Sequence, residues 1–451
     1  MAIEETTLVE RIVELLDAQR WLDVRKEIAD TFPPELAEIL LSLDQERRIL
    51  LFRCFPRDIA YEVFMYLEPE DQNELLVALG DERGRKVLAS LPPDDRTQLL
   101  AELPGEAAQK LLNLLSPEDL AEARNLLGYP EDSVGRLMTP DYVAVRPEWT
   151  IQRALEHIRL HGKEFETINV IYVVDERWRL LDALGLRNFV LADPNKQVSE
   201  IMDNSFIALS AFDDRQTAVD VMRKYDLAYL PVVGSDGVLV GIVTFDDVFD
   251  VEEEEVTEDF QKVSGMAPIE IDYGRATISL LWKKRIGWLA LLLVANFMST
   301  AIIAHYESAI EAYVVLAFLI PALIASGGNT GTQSATLIIR GLSTGQVEMR
   351  DWFKVLFKEL RVGLLLGGTL GVIVFLRAYF WHGGAEIGII VGLTMIALVL
   401  WANIIGAILP ILLRKLRFDP AVVSSPFITT MADVTGLIIY FNIAKAILPG
   451  I

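Results

Sequence analysis

Cysteine and histidine are scarce in this sequence, and their scarcity argues against several kinds of site. Cys54 is the single cysteine, so no disulfide bond can form within the chain, which fits a reducing compartment for its soluble part. The four histidines and this cysteine do not lie deep in any apolar stretch, so we expect no zinc or copper site within a membrane. The first ten residues lack the basic segment and apolar run of a cleavable signal peptide, and we expect none.

Basic residues are outnumbered in the first part of the chain. Residues 1–272 contain 56 acidic and 27 basic residues, a net charge of −29, whereas residues 273–451 contain 8 acidic and 14 basic residues, a net charge of +6. A surface this acidic repels phosphates, so we expect no nucleic-acid partner. It is suited to binding cations, and it is also compatible with an acidic surface that only maintains solubility.

Residues 1–130 have the pattern of short helices. Apolar residues recur at helical spacing, as at Ile12, Leu15 and Leu16. Prolines interrupt the stretch, and Ser116 before Pro117 is typical of a helix N-cap. We predict an all-α superhelical N domain of stacked hairpins, and we find no catalytic motif in it.

Residues 131–251 contain an imperfect duplication, with copies at about 131–195 and 196–251. Each copy reads strand, helix, strand, strand, helix, and Ser235-Asp236-Gly237 in the second copy is typical of a hairpin turn. The motifs LMTP (137–140), LPVV (230–233) and GIVTFDD (241–247) resemble those of tandem CBS domains. That resemblance implies an α+β regulatory pair, of a kind that often binds adenine nucleotides.

The CBS resemblance also implies candidate nucleotide contacts. The family's ribose-contacting pattern, Thr/Ser-x-x-Asp, is matched in the second copy by Thr244 and Asp247, and Arg187 is a further candidate. The first copy departs from the pattern, with Gly185 and Asn188 at these positions. An alternative is that Thr244 caps the helix that follows it. ATP is therefore a candidate ligand on the resemblance alone.

Residues 252–272 begin with the acidic run Glu252–Glu255, followed by Glu258 and Asp259. The apolar residues Val256, Phe260 and Val263 give this stretch one apolar stripe, so we predict an amphipathic connecting helix. Like charges crowded on a helix destabilise it, and we expect a positive group to offset them. The alternative is a solvated, charged linker.

Residues 273–451 are predicted to form a membrane domain. Five apolar stretches of spanning length lie at about 286–304, 312–340, 362–381, 387–412 and 422–448. The second stretch contains Pro321 and the segment GGNTGTQ (327–333), so we expect a broken helix there.

The basic residues predict the orientation of the membrane domain. They precede the first span or lie between spans two and three and between spans four and five, whereas the other loops have no lysine or arginine. The positive-inside rule therefore predicts a cytoplasmic acidic half and an external C-terminus. The basic residues concerned are Lys283, Lys284, Arg285, Arg340, Arg350, Lys354, Lys358, Arg361, Arg414, Lys415 and Arg417.

A few polar residues lie deep in the apolar stretches. Asp433 is a carboxylate near the middle of the last span. Because a charge at that depth is unfavourable in free energy, Asp433 is a functional-site candidate. Asn403 is more typical of helix-packing contacts. The other deep groups are Asn329, Gln333 and several hydroxyls, all oxygen ligands suited to Mg²⁺, Ca²⁺ or Mn²⁺. One carboxylate per subunit suffices for a hydrated ion if a twofold axis pairs two copies.

The whole chain resembles the MgtE family of magnesium transporters and channels. The motifs that carry this resemblance are PALIASGGNTGTQSATLIIR (321–340) and FDPAVVSSPFITTMADVTGLIIYF (418–441), together with the order of the domains. The resemblance implies a homodimer with a pore between the subunits, in which Asp433 holds hydrated Mg²⁺ and Asp419 lies near the cytoplasmic mouth. It also implies regulatory Mg²⁺ sites at or near Asp94, Asp95, Asp226, Asp247, Asp250, Glu255, Glu258 and Asp259.

The sequence departs from the family pattern at three positions. Thr332 and Ser425 stand where asparagines are expected, and Gln216 replaces an expected acidic residue. The candidate pore-lining residues within the two membrane motifs are Asn329, Gln333, Ser425 and Thr429.

These features predict the function and its control. We expect Mg²⁺ transport into the cytoplasm through a dimeric pore in the cell membrane, closed when cytoplasmic Mg²⁺ relieves repulsion between acidic elements. The alternative is a CBS-regulated path for Mn²⁺, Co²⁺ or Ca²⁺. A membrane enzyme is disfavoured because the acidic residues after residue 272 are isolated from one another. An anion channel is disfavoured because the charge deep in the membrane stretches is negative. A flux assay would distinguish a transporter from a sensor that does not transport.

Overall fold

The structure is a computed structural model that describes residues 2–103, 105–163, 165–269, 271, 273–274, 276–416, 418–420 and 425–448. The chain forms two compact units, one up to Glu252 and one from Glu253 onward. Arg417 of the predicted basic loop and residues 422–424 of the fifth predicted span lie outside the described residues.

The first unit begins with ten short helices in its described part, as the N-domain pattern predicted. Asp44 and Ser116 are N-caps whose side chains accept the backbone N–H of Arg47 and Asp119, so the prediction for Ser116 is confirmed. Leucine, isoleucine and phenylalanine side chains form one continuous core between the helices. The helices are α1 Ala2–Asp17, α2 Trp21–Ala29, α3 Pro33–Ser42, α4 Gln45–Cys54, α5 Arg57–Met65, α6 Pro69–Leu79, α7 Asp81–Leu88, α8 Pro93–Glu102, α9 Gly105–Leu112 and α10 Pro117–Leu127.

The two predicted repeats follow and complete the first unit. Each contains a three-stranded sheet in which the first two strands are parallel and the last two antiparallel. The predicted hairpin turn is confirmed, since Gly237 has a positive φ of 79° and β5 pairs with β6. The elements are α11 Val134–Leu137, β1 Tyr142–Val145, α12 Ile151–His161, β2 Thr167–Val174, β3 Leu180–Gly185, α13 Leu186–Leu191, a 3₁₀ turn Val198–Glu200, β4 Leu209–Ser210, α14 Arg215–Tyr225, β5 Tyr229–Val233, β6 Leu239–Thr244 and α15 Phe245–Val263.

Helix α15 differs from the predicted arrangement. We expected the last repeat to end near residue 251 and a separate helix to follow, but one helix runs from Phe245 to Val263. The acidic run at Glu252–Glu255 contains no helix-breaking residue, so nothing in the sequence interrupts the backbone hydrogen bonds there. The helix therefore connects the two units as a continuous element.

The second unit contains five helices, among the described residues, that are long and apolar enough to cross a membrane, as predicted. Helices α19 and α20 pack along each other, and α18 packs against both α20 and α21. The elements are α16 Ile278–His305, α17 Glu307–Ala312, α18 Val315–Ser343, a 3₁₀ turn Met349–Asp351, α19 Trp352–Ala378, a π-helical segment Tyr379–Gly383, α20 Gly384–Lys415 and α21 Ser425–Ile447.

The predicted break in the second span is wrong, because α18 is one continuous helix through Pro321 and the glycine-rich segment. The glycines serve close packing instead. An added Cβ at Gly327 would lie 2.7 Å from Leu398, and one at Gly328 would lie 2.7 Å from Thr429. In a membrane, where helices associate through close packing, small residues at such crossings let neighbouring backbones approach.

The closest of these approaches yields a stability prediction. A Cβ at Gly406 would lie 2.4 Å from the carbonyl oxygen of Gly331, and backbone cannot rotate away as a side chain can. We expect Gly406→Ala to force α18 and α20 apart and to destabilise the second unit by about 2 kcal/mol, the usual cost of overpacking. Thermal unfolding of the purified protein in detergent measures this.

Gly368→Ala is the matched control for Gly406→Ala. Gly368 is also in a spanning helix, but a Cβ there meets no atom within 4 Å. We expect an unchanged or slightly higher unfolding temperature for the control. Equal effects of the two variants would contradict the packing explanation.

Candidate functional site

Carboxylates from distant parts of the sequence meet in the first unit. Asp94 and Asp95 lie in the first turn of α8, and Asp247 lies in the first turn of α15. Asp94 is buried, and its Oδ1 atom has no hydrogen-bond partner among the described residues. Glu166, just before β2, and Asp246 act electrostatically on the same group. We call Asp94, Asp95, Glu166, Asp246 and Asp247 the acidic cluster.

Burial and mutual repulsion raise the pKa of several carboxyls in the acidic cluster. Burial, together with the charges of Glu166 and Asp246, raises the pKa of Asp95 to about 7. Burial raises the pKa of Asp247 to about 7. The hydrogen bond from Thr244 lowers this pKa, and the charges of Asp246 and Asp95 raise it further. Burial, with Asp247 and Asp95 nearby, also raises the pKa of Asp94 well above its ordinary value. A bound cation would stabilise this group.

The candidate nucleotide-binding residues lie on the two repeats. The Thr244 hydroxyl is buried at the start of α15 and is within hydrogen-bonding distance of Asp246 and of Asp247 Oδ2, the latter at 2.6 Å. Thr244 directly precedes α15, where a cap was the alternative interpretation, but these hydrogen bonds go to side chains. Arg187 is exposed on α13.

Two other candidate regulatory residues are less enclosed. Asp250 is exposed on α15, one turn beyond Asp246, and its charge also raises the pKa of Asp95. Asp226 ends α14 with a left-handed backbone conformation, φ 53°, and its side chain is exposed. Sequence reasoning missed Glu166, because residues this far apart in sequence meet only through the fold.

In the second unit, the end of α15 carries a charged contact to the membrane part. Lys262 Nζ lies 2.8 Å from Asp419 Oδ2 and 2.5 Å from Glu258 Oε1. Burial and the charge of Asp419 raise the pKa of Asp259. The structure therefore brings Glu258, Asp259 and Asp419 together, whereas Glu255 lies one turn earlier on the same helix. The ion pair between Glu258 and Lys262 could have been predicted from the sequence, because residues four positions apart lie on the same face of a helix.

Asp433 lies on α21 with one carboxylate oxygen unsatisfied. Its Oδ1 atom is buried and has no hydrogen-bond partner among the described residues. The neighbouring hydroxyls of Thr429, Thr430 and Thr435 donate to the carbonyl oxygens of Ser425, Pro426 and Met431, one turn earlier. Their hydrogens are thus used by the backbone, and their oxygen lone pairs stay available as acceptors.

The pore-lining candidates fall on two helix faces. Asn329 and Gln333 are exposed on α18 and line a pocket of about 440 Å³ with Ser326 and Thr369. Ser425 and Thr429 lie on α21, where Thr332 Oγ1 is 3.5 Å from the carbonyl oxygen of Ser425 and Thr429 packs against Gly328. The described lining of the pocket does not include the α21 candidates. Asn403 is buried and donates to the Glu359 carbonyl at 3.4 Å, as a packing residue would.

The arrangement suits a hydrated cation better than a bare one. Within the described ranges, no three Asp, Glu, His or Cys side chains form a group that could hold a metal ion. Mg²⁺ gives up its water reluctantly and is often bound through one or two carboxylates with several waters retained. Separated carboxylates such as Asp433 and the acidic cluster fit that mode of binding.

Comparisons with known proteins match each part of the chain. A family model described as a divalent cation transporter, MgtE, matches residues 320–443, and one for the MgtE intracellular N domain matches residues 31–132. The CBS domain model matches residues 134–193 and 198–254. The predicted fold class, a helical N domain, a CBS pair and a spanning domain, is thereby confirmed.

Relatives match over nearly the whole length. The magnesium transporter MgtE of Thermus thermophilus is 40% identical over 431 residues, covering 95% of this chain and 96% of that protein. The magnesium transporter MgtE of Bacillus subtilis is 32% identical over 439 residues, covering 97% of each.

Solved structures match the first unit. A crystal structure of the cytosolic domain of the Mg²⁺ channel MgtE in complex with ATP is 38% identical and covers 53% of this chain and 99% of that one, with a TM-score of 0.50. The soluble part of a magnesium transporter is 26% identical and covers 56% of this chain and 99% of that one, with a TM-score of 0.52. From these matches, and from the two membrane motifs that first indicated it, the chain belongs to the MgtE family of divalent cation transporters.

Proposed function

We propose that this protein transports Mg²⁺ into the cytoplasm along a path that includes Asp433. The observation that carries the proposal is the buried, unpartnered Oδ1 of this carboxylate within a spanning helix. Such a group is costly unless a partner or a cation compensates it. The relatives of this chain over its full length are magnesium transporters, which favours Mg²⁺ among the divalent cations.

The path is formed between two copies of the chain in this proposal. Asn329 and Gln333 are exposed at membrane depth, where lipid would leave their amide groups unsatisfied. Polar groups of a second copy could hydrogen-bond with them. A twofold axis between the copies would bring two Asp433 carboxylates near one ion. The acidic unit is cytoplasmic and the C-terminus external, in agreement with the positive-inside rule.

The proposal divides the chain into four parts with separate roles. Residues 1–130 and 131–251 are the N domain and the CBS pair, residues 252–272 connect them to the membrane, and residues 273–451 form the path. ATP binding at Thr244, Asp247 and Arg187 is a further part of the proposal, supported by the ATP complex of a relative. Thr244 and Asp247, the two candidate ribose contacts of the second repeat, hydrogen-bond each other, which supports this part of the proposal.

Cytoplasmic Mg²⁺ closes the path in this proposal. The carboxylates of the acidic cluster repel one another, and a bound divalent cation removes that repulsion. Asp226 and Asp250 are further candidate Mg²⁺ ligands in the first unit, and Glu255, Glu258 and Asp259 are candidates in the second, where the charge of Asp419 acts on Asp259. Because a ligand shifts an equilibrium only by its difference in affinity between states, the sites must bind Mg²⁺ more tightly in the closed state.

Removal of the Asp433 charge tests the path. We expect Asp433→Asn to reduce Mg²⁺ uptake into reconstituted liposomes by about tenfold or more, because the ion loses the charge that offsets its partial dehydration. Glu386→Gln, an exposed acid at the start of α20, is the matched control and keeps normal uptake. Normal uptake by Asp433→Asn would remove this residue from the mechanism.

Neutralising the acidic residues near the end of α15 tests whether they control closure of the path by Mg²⁺. We expect Glu255→Gln, Glu258→Gln and Asp259→Asn in combination to reduce, by about fivefold, the ratio of flux at low to flux at high cytoplasmic Mg²⁺. The variant loses both the repulsion that opens the gate and the sites where Mg²⁺ closes it. Glu253→Gln, on the same helix, is the control. An unchanged ratio in the triple variant would contradict the gating proposal.

The acidic cluster predicts a pH dependence of stability. Asp95 and Asp247 keep their protons in the folded state up to about pH 7, whereas in the unfolded chain these carboxyls lose them near pH 4. Folding therefore takes up protons, and stability in the absence of divalent cations decreases as pH rises from about 4 to about 7. Calorimetry with millimolar Mg²⁺ should show a smaller decrease, because the cation replaces the protons.

The double variant Asp95→Asn, Asp247→Asn checks the source of this dependence. It should flatten the pH dependence and reduce the stabilisation by Mg²⁺. Asp220→Asn, an exposed acid on α14, should leave both unchanged. A pH dependence that persists in full in the double variant would assign the effect to other groups.

A further inference from the structure

Lys262 is the cation at the junction between α15 and the membrane part of the second unit. Its ammonium contacts two carboxylates, Asp419 at 2.8 Å and Glu258 at 2.5 Å, and its side chain is 25% exposed. Glu258 lies on the same helix, whereas Asp419 precedes α21, the helix that carries Asp433. The ion pair therefore connects α15 to the segment that leads into the proposed path.

The surroundings of Lys262 hold this end of α15 in a defined position. Val263 packs against the apolar cluster of Ala335, Ile339 and Ile428 from α18 and α21. Gly265 has a positive φ of 77°, and a Cβ there would lie 2.7 Å from Trp288. The backbone N–H of Ala267 donates to the carbonyl of Lys284 at 3.1 Å. The ammonium is thus presented to Asp419 by a packed support and not by a freely moving side chain.

Among the described residues, the carboxylates at this junction outnumber the cations. Glu258, Asp259 and Asp419 supply three negative charges, and Lys262 supplies one positive charge among them, with Arg340 acting on Asp259 in addition. Exposed ion pairs contribute little to stability, but this pair is partly buried and joins two elements. Without Lys262, the three carboxylates would repel one another and push α15 away from Asp419.

We propose that Lys262 is a tethered internal cation that holds the end of α15 against Asp419 when no Mg²⁺ is bound, so that Mg²⁺ completes a closure that Lys262 has begun. This inference rests on the proposed function, in which cytoplasmic Mg²⁺ closes the path, and it adds that contact between α15 and Asp419 is the closed arrangement. A tethered ammonium acts at any Mg²⁺ concentration, whereas bound Mg²⁺ depends on supply. Lys262 therefore sets the flux that remains when cytoplasmic Mg²⁺ is absent.

Flux without cytoplasmic Mg²⁺ tests the role of Lys262. In liposomes containing the full-length protein and a chelator on the cytoplasmic face, we expect Lys262→Gln to raise Mg²⁺ flux about fivefold over the unaltered chain. Lys262→Arg keeps the charge and should give the same flux as the unaltered chain. Lys283→Gln, an exposed lysine near the start of α16, is the matched control and should behave as the unaltered chain.

A second measurement does not depend on transport. Hydrogen exchange of the Ala267 amide, which is bonded to Lys284, should become faster in Lys262→Gln without Mg²⁺ and should stay slow in Lys262→Arg. A variant that simply fails to fold would instead lose protection throughout α16 to α21.

The outcomes separate the two proposals. Unchanged flux and unchanged exchange in Lys262→Gln, with flux still dependent on Asp433, would overturn the role of Lys262 and leave the proposed path intact. Absence of flux in the unaltered chain would overturn the proposed function, and unchanged Ala267 exchange in Lys262→Gln would then also overturn the tether.

Discussion

A carboxylate that leaves water needs a compensating charge or a proton, and this constraint acts at three places in the chain. The acidic cluster of the first unit retains protons, as the raised pKa values of Asp95 and Asp247 indicate. At the end of α15, Glu258 and Asp419 are compensated by the ammonium of Lys262. Asp433, within a spanning helix, has a carboxylate oxygen with no hydrogen-bond partner in the described chain, so a passing cation would compensate its charge.

The fold was largely predictable because its patterns are local. Helical spacing and caps such as Ser116 identify the N domain, the repeated strand order identifies the CBS pair, and apolar length identifies five spans. The prediction for α18 was wrong because glycine and proline permit two outcomes. They can break a spanning helix, or they can let other helices approach it, as Gly327 and Gly328 do here.

The candidate sites were predictable only where one residue carries the signal. Asp433 stands out in the sequence because a single charge in an apolar stretch needs no partner to be noticed. The acidic cluster does not stand out, because Asp94 and Asp247 are far apart in sequence and Glu166 belongs to a third segment. Lys262 was missed for the same reason, since its partner Asp419 is 157 residues away. Contacts of this kind are set by tertiary packing, which no local pattern encodes.

In the proposed mechanism a regulatory site binds Mg²⁺ weakly, because its carboxylates do not form a closed cage around the ion. A closed cage of several carboxylates would strip the ion of water and stay occupied at every cytoplasmic concentration. Carboxylates that approach one another without forming such a cage leave the hydration shell largely in place, so occupancy follows concentration. Several weak sites that all favour one arrangement add their differences in affinity, which makes the combined response steeper than that of any single site. In this proposal, protons at Asp95 and Asp247 and the ammonium of Lys262 are the compensating charges that Mg²⁺ replaces or supplements.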